Sequence, residues 1–227
     1  MTSIKRIYNY LNRDERLLTQ LSVVLVIGFL LLTLLVYFLP PSFIDVEFSE
    51  EVQEEHSPLR SGVMRLVSWF GNGIIPVVLT FSTALIFFLA QARREALFVL
   101  LTSLSGIAIY LLKMAVGRPR PTADLVTIIE HAQFQSFPSG HVTFYVVFFG
   151  FLTFLMYRLN WVRKWLRWSV SLISLSLIFS VPFSRVYLGA HWFTDVLAGF
   201  FVGLLCLIGL VRWYSTDKKI RLFPSSK

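Results

Sequence analysis

Six apolar stretches dominate this sequence, and each is long enough to cross a lipid bilayer as a helix. A spanning helix needs about 20 mainly apolar residues, because the hydrocarbon core of a membrane is about 30 Å thick. We therefore predict an all-α fold, a bundle of six transmembrane helices that makes residues 1–227 a single membrane domain. The predicted spans are residues 17–39, 73–92, 96–116, 141–156, 168–183 and 191–213.

The composition supports a membrane protein. Hydrophobic residues make up 56% of the 227 residues, and the mean hydropathy is +0.68. Charged residues make up only 15%, well below the roughly 25% of an average soluble domain. The formal net charge is +8, but the basic residues lie in short loops between apolar stretches. This distribution favours the lipid bilayer as a partner and argues against nucleic acid.

The distribution of Lys and Arg among the loops predicts the orientation. Cytoplasmic loops carry an excess of basic residues, and a cytoplasmic N-terminus puts fifteen of the 21 basic residues inside. Both termini are then cytoplasmic, with residues 1–16 along the inner membrane surface. Residues 40–60 form an acidic, solvated outer loop, and residues 58–70 form a short interfacial helix. The short loops indicate a bacterial cytoplasmic membrane, with the active site facing the periplasm or the exterior.

The first of three polar clusters follows the third predicted span. Lys113, Arg118 and Arg120 lie close together with no acid among them. The prolines at 119 and 121 force an extended chain just beyond the helix. Three cations without a neighbouring acid need an anionic partner, and a phosphate group is a suitable one. A basic patch that binds lipid headgroups at the membrane surface is the alternative.

The second cluster opens the fourth predicted span with the residues Phe137-Pro138-Ser139-Gly140-His141. Free backbone N–H groups and the helix dipole at such a helix start can bind an anion. Gly140 lets the backbone approach a ligand closely, and His141 can exchange a proton beside it. Taken alone, a Ser-Gly-His sequence is more often an ordinary structural helix cap.

The third cluster joins the last two predicted spans and contains Arg185, His191 and Asp195. His191 and Asp195 are four residues apart at the predicted start of the last helix, so they share one face. A carboxylate beside an imidazole fixes its tautomer and prepares the other ring nitrogen as a nucleophile or base. Arg185 adds a further cation. A core hydrogen bond or half of a metal site is the alternative for the His–Asp pair, although no cysteine or second carboxylate set accompanies it.

Together the clusters resemble the type 2 phosphatidic acid phosphatase superfamily. Residues 113–121 match its K-x6-R-P element, residues 138–141 match P-S-G-H, and residues 184–195 match S-R-x5-H-x3-D. All three elements occur unbroken and in the expected order. The resemblance therefore covers residues 113–195 directly, as the segment of catalytic motifs, and the six predicted spans extend it to most of the chain.

The resemblance implies a metal-independent phosphatase that uses no cofactor. His191 would attack phosphorus and form a phosphohistidine, Asp195 would hold that imidazole, and His141 would protonate the leaving oxygen. Arg118 would support the other cations. The groups that would bind the phosphoryl oxygens belong to Lys113, Arg120, Ser139, Gly140 and Arg185.

The predicted function is hydrolysis of a phosphomonoester or pyrophosphate of a membrane lipid at the outer face. Phosphatidic acid, phosphatidylglycerol phosphate and polyprenyl pyrophosphate are candidate substrates, and the sequence does not choose among them. Two alternatives stay open: a lipid phosphotransferase that uses the same site, and a non-catalytic membrane protein that binds lipid. The oligomeric state and the role of residues 45–55 also stay open.

Overall fold

The computed structural model describes residues 2–39 and 41–216, with side chains from residue 15 onward. Within these residues the chain is helical and contains no β-strand, which confirms the all-α prediction. Pro40, at the start of the predicted outer loop, and the C-terminal cations Lys218, Lys219, Arg221 and Lys227 lie outside the described residues, as do the side chains of 1–14. The helices are α1 (Thr2–Phe38), α2 (Phe43–Gln53), α3 (Pro58–Trp69), α4 (Ile75–Leu89), α5 (Arg93–Leu101), α6 (Leu104–Val116), α7 (Gly140–Arg158), α8 (Lys164–Tyr187) and α9 (Phe193–Thr216).

Five helical segments in the described part of the chain are long and apolar enough to cross a membrane. They coincide with all the predicted spans except the second. That span forms the 15-residue helix α4, which is about 22 Å long at a rise of 1.5 Å per residue. The described part of this membrane protein is thus all-helical, and a sixth span stays a prediction. The five segments are Glu15–Phe38, Arg93–Val116, Gly140–Arg158, Lys164–Tyr187 and Phe193–Thr216.

The acidic segment after α1 is helical, which corrects the prediction of a solvated loop over residues 40–60. Its helix, α2, starts with a reciprocal capping box in which Ser42 and Asp45 bond each other's backbone N–H groups. Asp45 is fully buried, whereas Glu47 and Glu54 are exposed. The prediction that the whole segment is solvated failed because a run of acidic residues does not reveal which side chain is buried. The short helix predicted over residues 58–70 does form, as α3.

Helix α7 lies at the centre of the bundle. It packs against both α8 and α9, and it buries side chains such as Tyr145, Val146 and Phe151 around most of its circumference. Helix α1 instead contacts chiefly α9 and exposes most of its apolar side chains, as a helix facing lipid does. The central position of α7 places its N-terminus, which carries the second sequence cluster, where α6, α8 and α9 also end or begin.

Two glycines of α9 allow it to cross α7 closely. The spacing of Gly199 and Gly203 as G-x-x-x-G predicts close helix packing inside the chain. A Cβ atom at Gly199 would lie 2.6 Å from the carbonyl oxygen of Ser139, and one at Gly203 would lie 2.7 Å from Cβ of Val146. Neither position has room for a side chain. The crossing therefore brings the start of α7 against the first turns of α9.

Replacing Gly199 with leucine should destabilise the fold, because the new side chain would push α9 away from the start of α7. Overpacking of this kind costs about 1–3 kcal/mol. We expect a clear fall in the midpoint of thermal unfolding in detergent. Gly209→Leu is the matched control, since nothing lies within 4 Å of a Cβ atom built there. Equal midpoints for the two variants would contradict this account of the crossing.

Candidate active site

The three sequence clusters converge on one cavity. The cavity has a volume of about 320 Å³. Its polar end is lined by His141 and Gly140 from the start of α7, by His191 from the α8–α9 loop, and by Lys113 and Arg120 from the end of α6 and the loop beyond it. Arg120 Nη1 lies 3.3 Å from His191 Nε2, which joins the first cluster to the third. The structure thus brings together five of the site residues predicted from sequence.

The other end of the cavity has no charged side chain in its lining, where apolar residues lie beside the hydroxyl groups of Thr80, Ser103 and Ser105. It runs between α4 and α6, where Pro76, Val77 and Ile109 line it. Gly106 also lines this end, and a Cβ atom built there would meet nothing within 4 Å. The helical break between α5 and α6 lies at this end of the cavity. There, Thr102 and the residues after it form a tight turn. A ligand with a polar head and an apolar tail fits this division.

His191 lies in the loop before α9, which begins at Phe193, so the predicted helical placement of His191 is wrong. Its contact with Asp195 is nevertheless present, with 3.5 Å between Nδ1 and Oδ2. Ser136 Oγ lies 3.3 Å from the same Nδ1 and donates to Oδ2 of Asp195. These partners assign the proton to Nδ1, and they leave the Nε2 lone pair facing Arg120 and the cavity.

The environment of His191 favours the neutral imidazole. Burial lowers the pKa of His191 well below its usual range, and the positive charges of Arg120, Arg185 and Lys113 lower that pKa further. Only 2% of the residue is exposed. A neutral imidazole with an unprotonated Nε2 is the form that can act as a nucleophile.

Asp195 is fully buried and is held by several donors. Arg118 Nη1 donates to its Oδ1 at 2.5 Å, and the backbone N–H of Trp192 donates to Oδ2 at 3.0 Å. The backbone carbonyl of Asp195 accepts from the N–H of Ser139 at 3.0 Å. Asp195 therefore connects the start of α7 to the start of α9, and its carboxylate has little freedom to turn.

Arg118 lies behind the site and is absent from the cavity wall. Its guanidinium pairs with Asp195 on one side and with Asp45 of α2 on the other, at 2.5 and 2.6 Å. The side chain is 1% exposed. This position favours a structural contribution through Asp195 over the contact with phosphate that a supporting cation would make.

Lys113 and Arg120 are held by backbone carbonyls of the loop before α7. Lys113 Nζ donates to the carbonyls of Gln135 and Ser136. Arg120 donates to the carbonyls of Phe134, Gln133 and Ala190. Burial, followed by the positive charge of Arg185, lowers the pKa of Arg120 to about 10. Arg120 therefore remains a cation at neutral pH.

Arg185, near the end of α8, is buried beside the site. Its Nη1 donates to Ser68 Oγ at 2.8 Å and to Glu130 Oε1 at 3.0 Å. Its Nε has no hydrogen-bond partner among the described residues. Glu130 is the one acid paired with this cation in the described residues, and sequence reasoning did not single it out. Arg185 is absent from the lining of the cavity, and its positive charge acts on His191 from behind that lining.

The start of α7 supplies the second histidine and an unbonded hydroxyl. Ser139 is the N-cap residue, but its Oγ makes no capping bond and has no hydrogen-bond partner among the described residues, although it is fully buried. His141 Nε2 lies 2.5 Å from Oδ1 of Asn72, in the α3–α4 turn. An unbonded hydroxyl beside free helix N–H groups is suited to an anionic ligand.

Sequence reasoning missed three residues that hold the two histidines and the carboxylate. Ser136 bridges His191 and Asp195, Asn72 holds His141, and Asp45 pairs with Arg118. Ser136 directly precedes the predicted cap segment, and Asn72 lies between two glycines, so both had a local signal. Asp45 had none, because it is one of several acids in its segment.

Among the described residues, no group of three or more His, Cys, Asp or Glu side chains is placed to hold a metal ion. The charged groups on the cavity wall are cations, which would repel one. That the reaction needs no metal or other cofactor stays a prediction.

Comparisons with known proteins agree with this arrangement. The family model of the PAP2 superfamily matches residues 94–219. Phosphatidylglycerophosphatase B of Bacillus subtilis is 32% identical over 151 residues, which are 66% of this chain and 70% of that protein. The undecaprenyl-diphosphatase BcrC of Bacillus subtilis is 28% identical over 165 residues, which are 71% and 78% of the two chains. The chain spans only 42% of the length of a further relative from Escherichia coli.

A solved structure also matches the fold. It is the crystal structure of a transmembrane PAP2-type phosphatidylglycerolphosphate phosphatase from Bacillus subtilis, with a TM-score of 0.73 and 26% sequence identity. The match covers 88% of this chain and 98% of that one. The family model covers more than half of the chain, and it includes all three of the converging clusters. This chain belongs to the PAP2 superfamily.

Proposed function

We propose that this protein is a membrane phosphatase that removes phosphate from a lipid phosphomonoester or pyrophosphate. The observation that carries the proposal is the divided cavity, with two histidines and two cations at one end and an uncharged wall of apolar and hydroxyl-bearing residues at the other. A lipid phosphate has the same division. The names of the relatives, which specify phosphatidylglycerophosphate and undecaprenyl diphosphate, support both substrate types.

The proposed reaction proceeds in two displacements at phosphorus. In the first, the Nε2 lone pair of His191 attacks, an N–P bond forms, and the P–O bond to the lipid breaks. His141 gives its proton to the departing lipid oxygen. In the second, water attacks the phosphohistidine, His141 takes a proton from that water, and the N–P bond breaks to release phosphate. Splitting one transfer into two steps in this way is nucleophilic catalysis.

Asp195 and the cations stabilise the charges of this reaction. Positive charge develops on the His191 ring as the N–P bond forms, and the Asp195 carboxylate offsets it. The equatorial phosphoryl oxygens carry negative charge in the transition state. Lys113, Arg120 and Arg185, with the free N–H groups and hydroxyl at Ser139 and Gly140, are the proposed donors to those oxygens.

We further propose six spans with both termini in the cytoplasm and the site facing the periplasm or exterior. The α4–α5 and α7–α8 junctions support this orientation. They carry Arg93, Arg94, Arg158 and Lys164 at the ends of their helices that are remote from the site residues. Arg94 also donates to the backbone carbonyl of Tyr214, so the α4–α5 junction lies beside the end of α9. Basic residues at one end of a bundle mark its cytoplasmic side.

The first test measures the phosphate that the purified protein releases from lipids in detergent, with a chelator present. The panel contains phosphatidic acid, phosphatidylglycerol phosphate and undecaprenyl diphosphate. We expect turnover of at least one lipid, and loss of that turnover in His191→Ala, because the variant lacks the attacking nitrogen. Full activity of folded His191→Ala would contradict the assigned nucleophile. No turnover by the folded wild-type protein would contradict the proposed function.

Arg120→Gln should move the acid limb of the pH profile of kcat/KM to higher pH. The nucleophile must be neutral, and the charge of Arg120 helps to keep the pKa of His191 low. Without that charge the pKa of His191 rises, so the imidazole becomes protonated at a higher pH. The ionisation of the substrate is the same for both enzymes, so the difference between profiles reports the protein.

The matched control for this shift is Arg65→Gln, which removes an equal charge from an exposed position on α3. Its acid limb should coincide with that of the wild type. An acid limb that moves to lower pH in Arg120→Gln, or stays in place, would show that Arg120 does not act on the pKa of His191.

The Gly106→Leu variant should hydrolyse lipids with long chains less efficiently than lipids with short chains. Gly106 lines the cavity and a Cβ atom built there meets nothing within 4 Å, so the new side chain has an open position from which to narrow this end. We expect kcat/KM for a long-chain phosphatidic acid to fall about tenfold, since a blocked pocket of this kind changes discrimination by 1–3 kcal/mol. Turnover of a short-chain phosphatidic acid should change little. Gly209→Leu, on α9 and outside the cavity, should leave the ratio of the two substrates unchanged.

A further inference from the structure

We propose that Asp45, on helix α2, is a positioning residue for the reaction, and that it acts on His191 through Arg118 and Asp195. The inference rests on the proposed function, because it concerns the same nucleophile. The acidic segment around Asp45 lies outside the three sequence motifs, and this inference assigns it a role.

The Asp45 carboxylate is fully buried, and both of its oxygens accept hydrogen bonds. Oδ1 accepts from the backbone N–H of Thr194 at 2.9 Å and from Thr194 Oγ1 at 2.8 Å. Oδ2 accepts from Arg118 Nη2 at 2.6 Å and from Ser42 Oγ at 2.8 Å. Thr194 is the second residue of α9, so Asp45 also bonds a helix N–H that otherwise lacks a partner within the helix.

Arg118 lies between two carboxylates and is shared by them. Nη1 bonds Oδ1 of Asp195 and also Thr194 Oγ1, whereas Nη2 bonds Asp45. With Asp45 in place, the guanidinium can offer only one nitrogen to Asp195. Without the charge of Asp45, the planar guanidinium is free to turn and to pair with Asp195 through both nitrogens.

That second contact would compete with His191. Asp195 divides its oxygens, since Oδ1 faces Arg118 and Oδ2 faces His191 Nδ1, Ser136 Oγ and the N–H of Trp192. A bidentate pair with Arg118 would require Oδ2 to turn away from the imidazole. The ring would then lose the partner that fixes its tautomer and stabilises its charge in the transition state. Asp45 thus keeps one oxygen of Asp195 available to His191.

The decisive variant is Asp45→Asn, which keeps the shape of the side chain and an oxygen for Thr194 but removes the charge that holds Arg118. We expect kcat for the preferred lipid to fall about tenfold to a hundredfold, as is usual when a partner of an active-site ligand is lost. KM should change little, because Asp45 lies away from the cavity wall. Asp45→Glu, which restores the charge, should recover part of kcat.

Glu47→Gln is the matched control, since it removes an exposed acid from the same helix. Its kcat, KM and unfolding midpoint should equal those of the wild type. A double variant, Asp45→Asn with Arg118→Gln, adds a second check. If Asp45 acts through Arg118, the double variant should lose no more activity than Arg118→Gln alone.

A second measurement separates positioning from a purely structural role. Inorganic vanadate mimics phosphate during transfer, and its inhibition constant reports how well His191 and the cations are arranged. We expect Asp45→Asn to bind vanadate more weakly at an unchanged fraction of folded protein. Wild-type kcat in folded Asp45→Asn, or a loss of kcat that merely follows a loss of folded protein, would overturn the proposal.

The outcomes also distinguish this inference from the proposed function. Turnover by the wild type with no effect of Asp45→Asn would refute the inference and leave the phosphatase standing. No turnover of any lipid phosphate by the folded wild type would contradict the phosphatase. The binding of vanadate would then test the role of Asp45 separately. Equal vanadate affinities of the wild type and of Asp45→Asn would overturn its positioning role as well.

Discussion

The burial of the Asp195 carboxylate is the constraint on which the rest of the site depends. A buried charge is costly unless it is paired and hydrogen-bonded. Asp195 meets this condition with Arg118, Ser136 and the N–H of Trp192. Arg118 and Ser136 lie in the loop between α6 and α7, and Trp192 lies directly before α9. Any fold that satisfies this carboxylate therefore also brings His191 to the start of α7, which is where the cavity forms.

The same positive charges serve two steps of the proposed reaction. Lys113, Arg120 and Arg185 lower the pKa of His191 and so keep its nucleophilic form available. They also attract the phosphate that His191 is proposed to attack. When the phosphate binds, its negative charge offsets those cations, and the charge that develops on His191 is then less opposed. Burial contributes to both effects, because charges interact more strongly away from water.

The membrane explains why this polar site has an apolar extension. The cavity continues between α4 and α6, where Val77 and Ile109 line it and Gly106 leaves it open. Helix α7 closes the opposite side with a packed aromatic core. Helix α2 brings Asp45 to the back of the site while its glutamates face outward. The apolar extension of the cavity and the buried charges behind the site thus lie on different sides of His191.

Local patterns in the sequence determined the apolar spans, the three polar clusters and the start of α7. These features depend on residues a few positions apart, such as Ser139 to His141, or on the length of one apolar stretch. Only the tertiary structure decided that Asp45 is buried, that Arg118 is shared by two carboxylates, and that Asn72 holds His141. These contacts join residues 73, 77 and 69 positions apart along the chain. Such pairings arise from how helices pack, and packing depends on the shapes of many side chains at once, so no local pattern contains them.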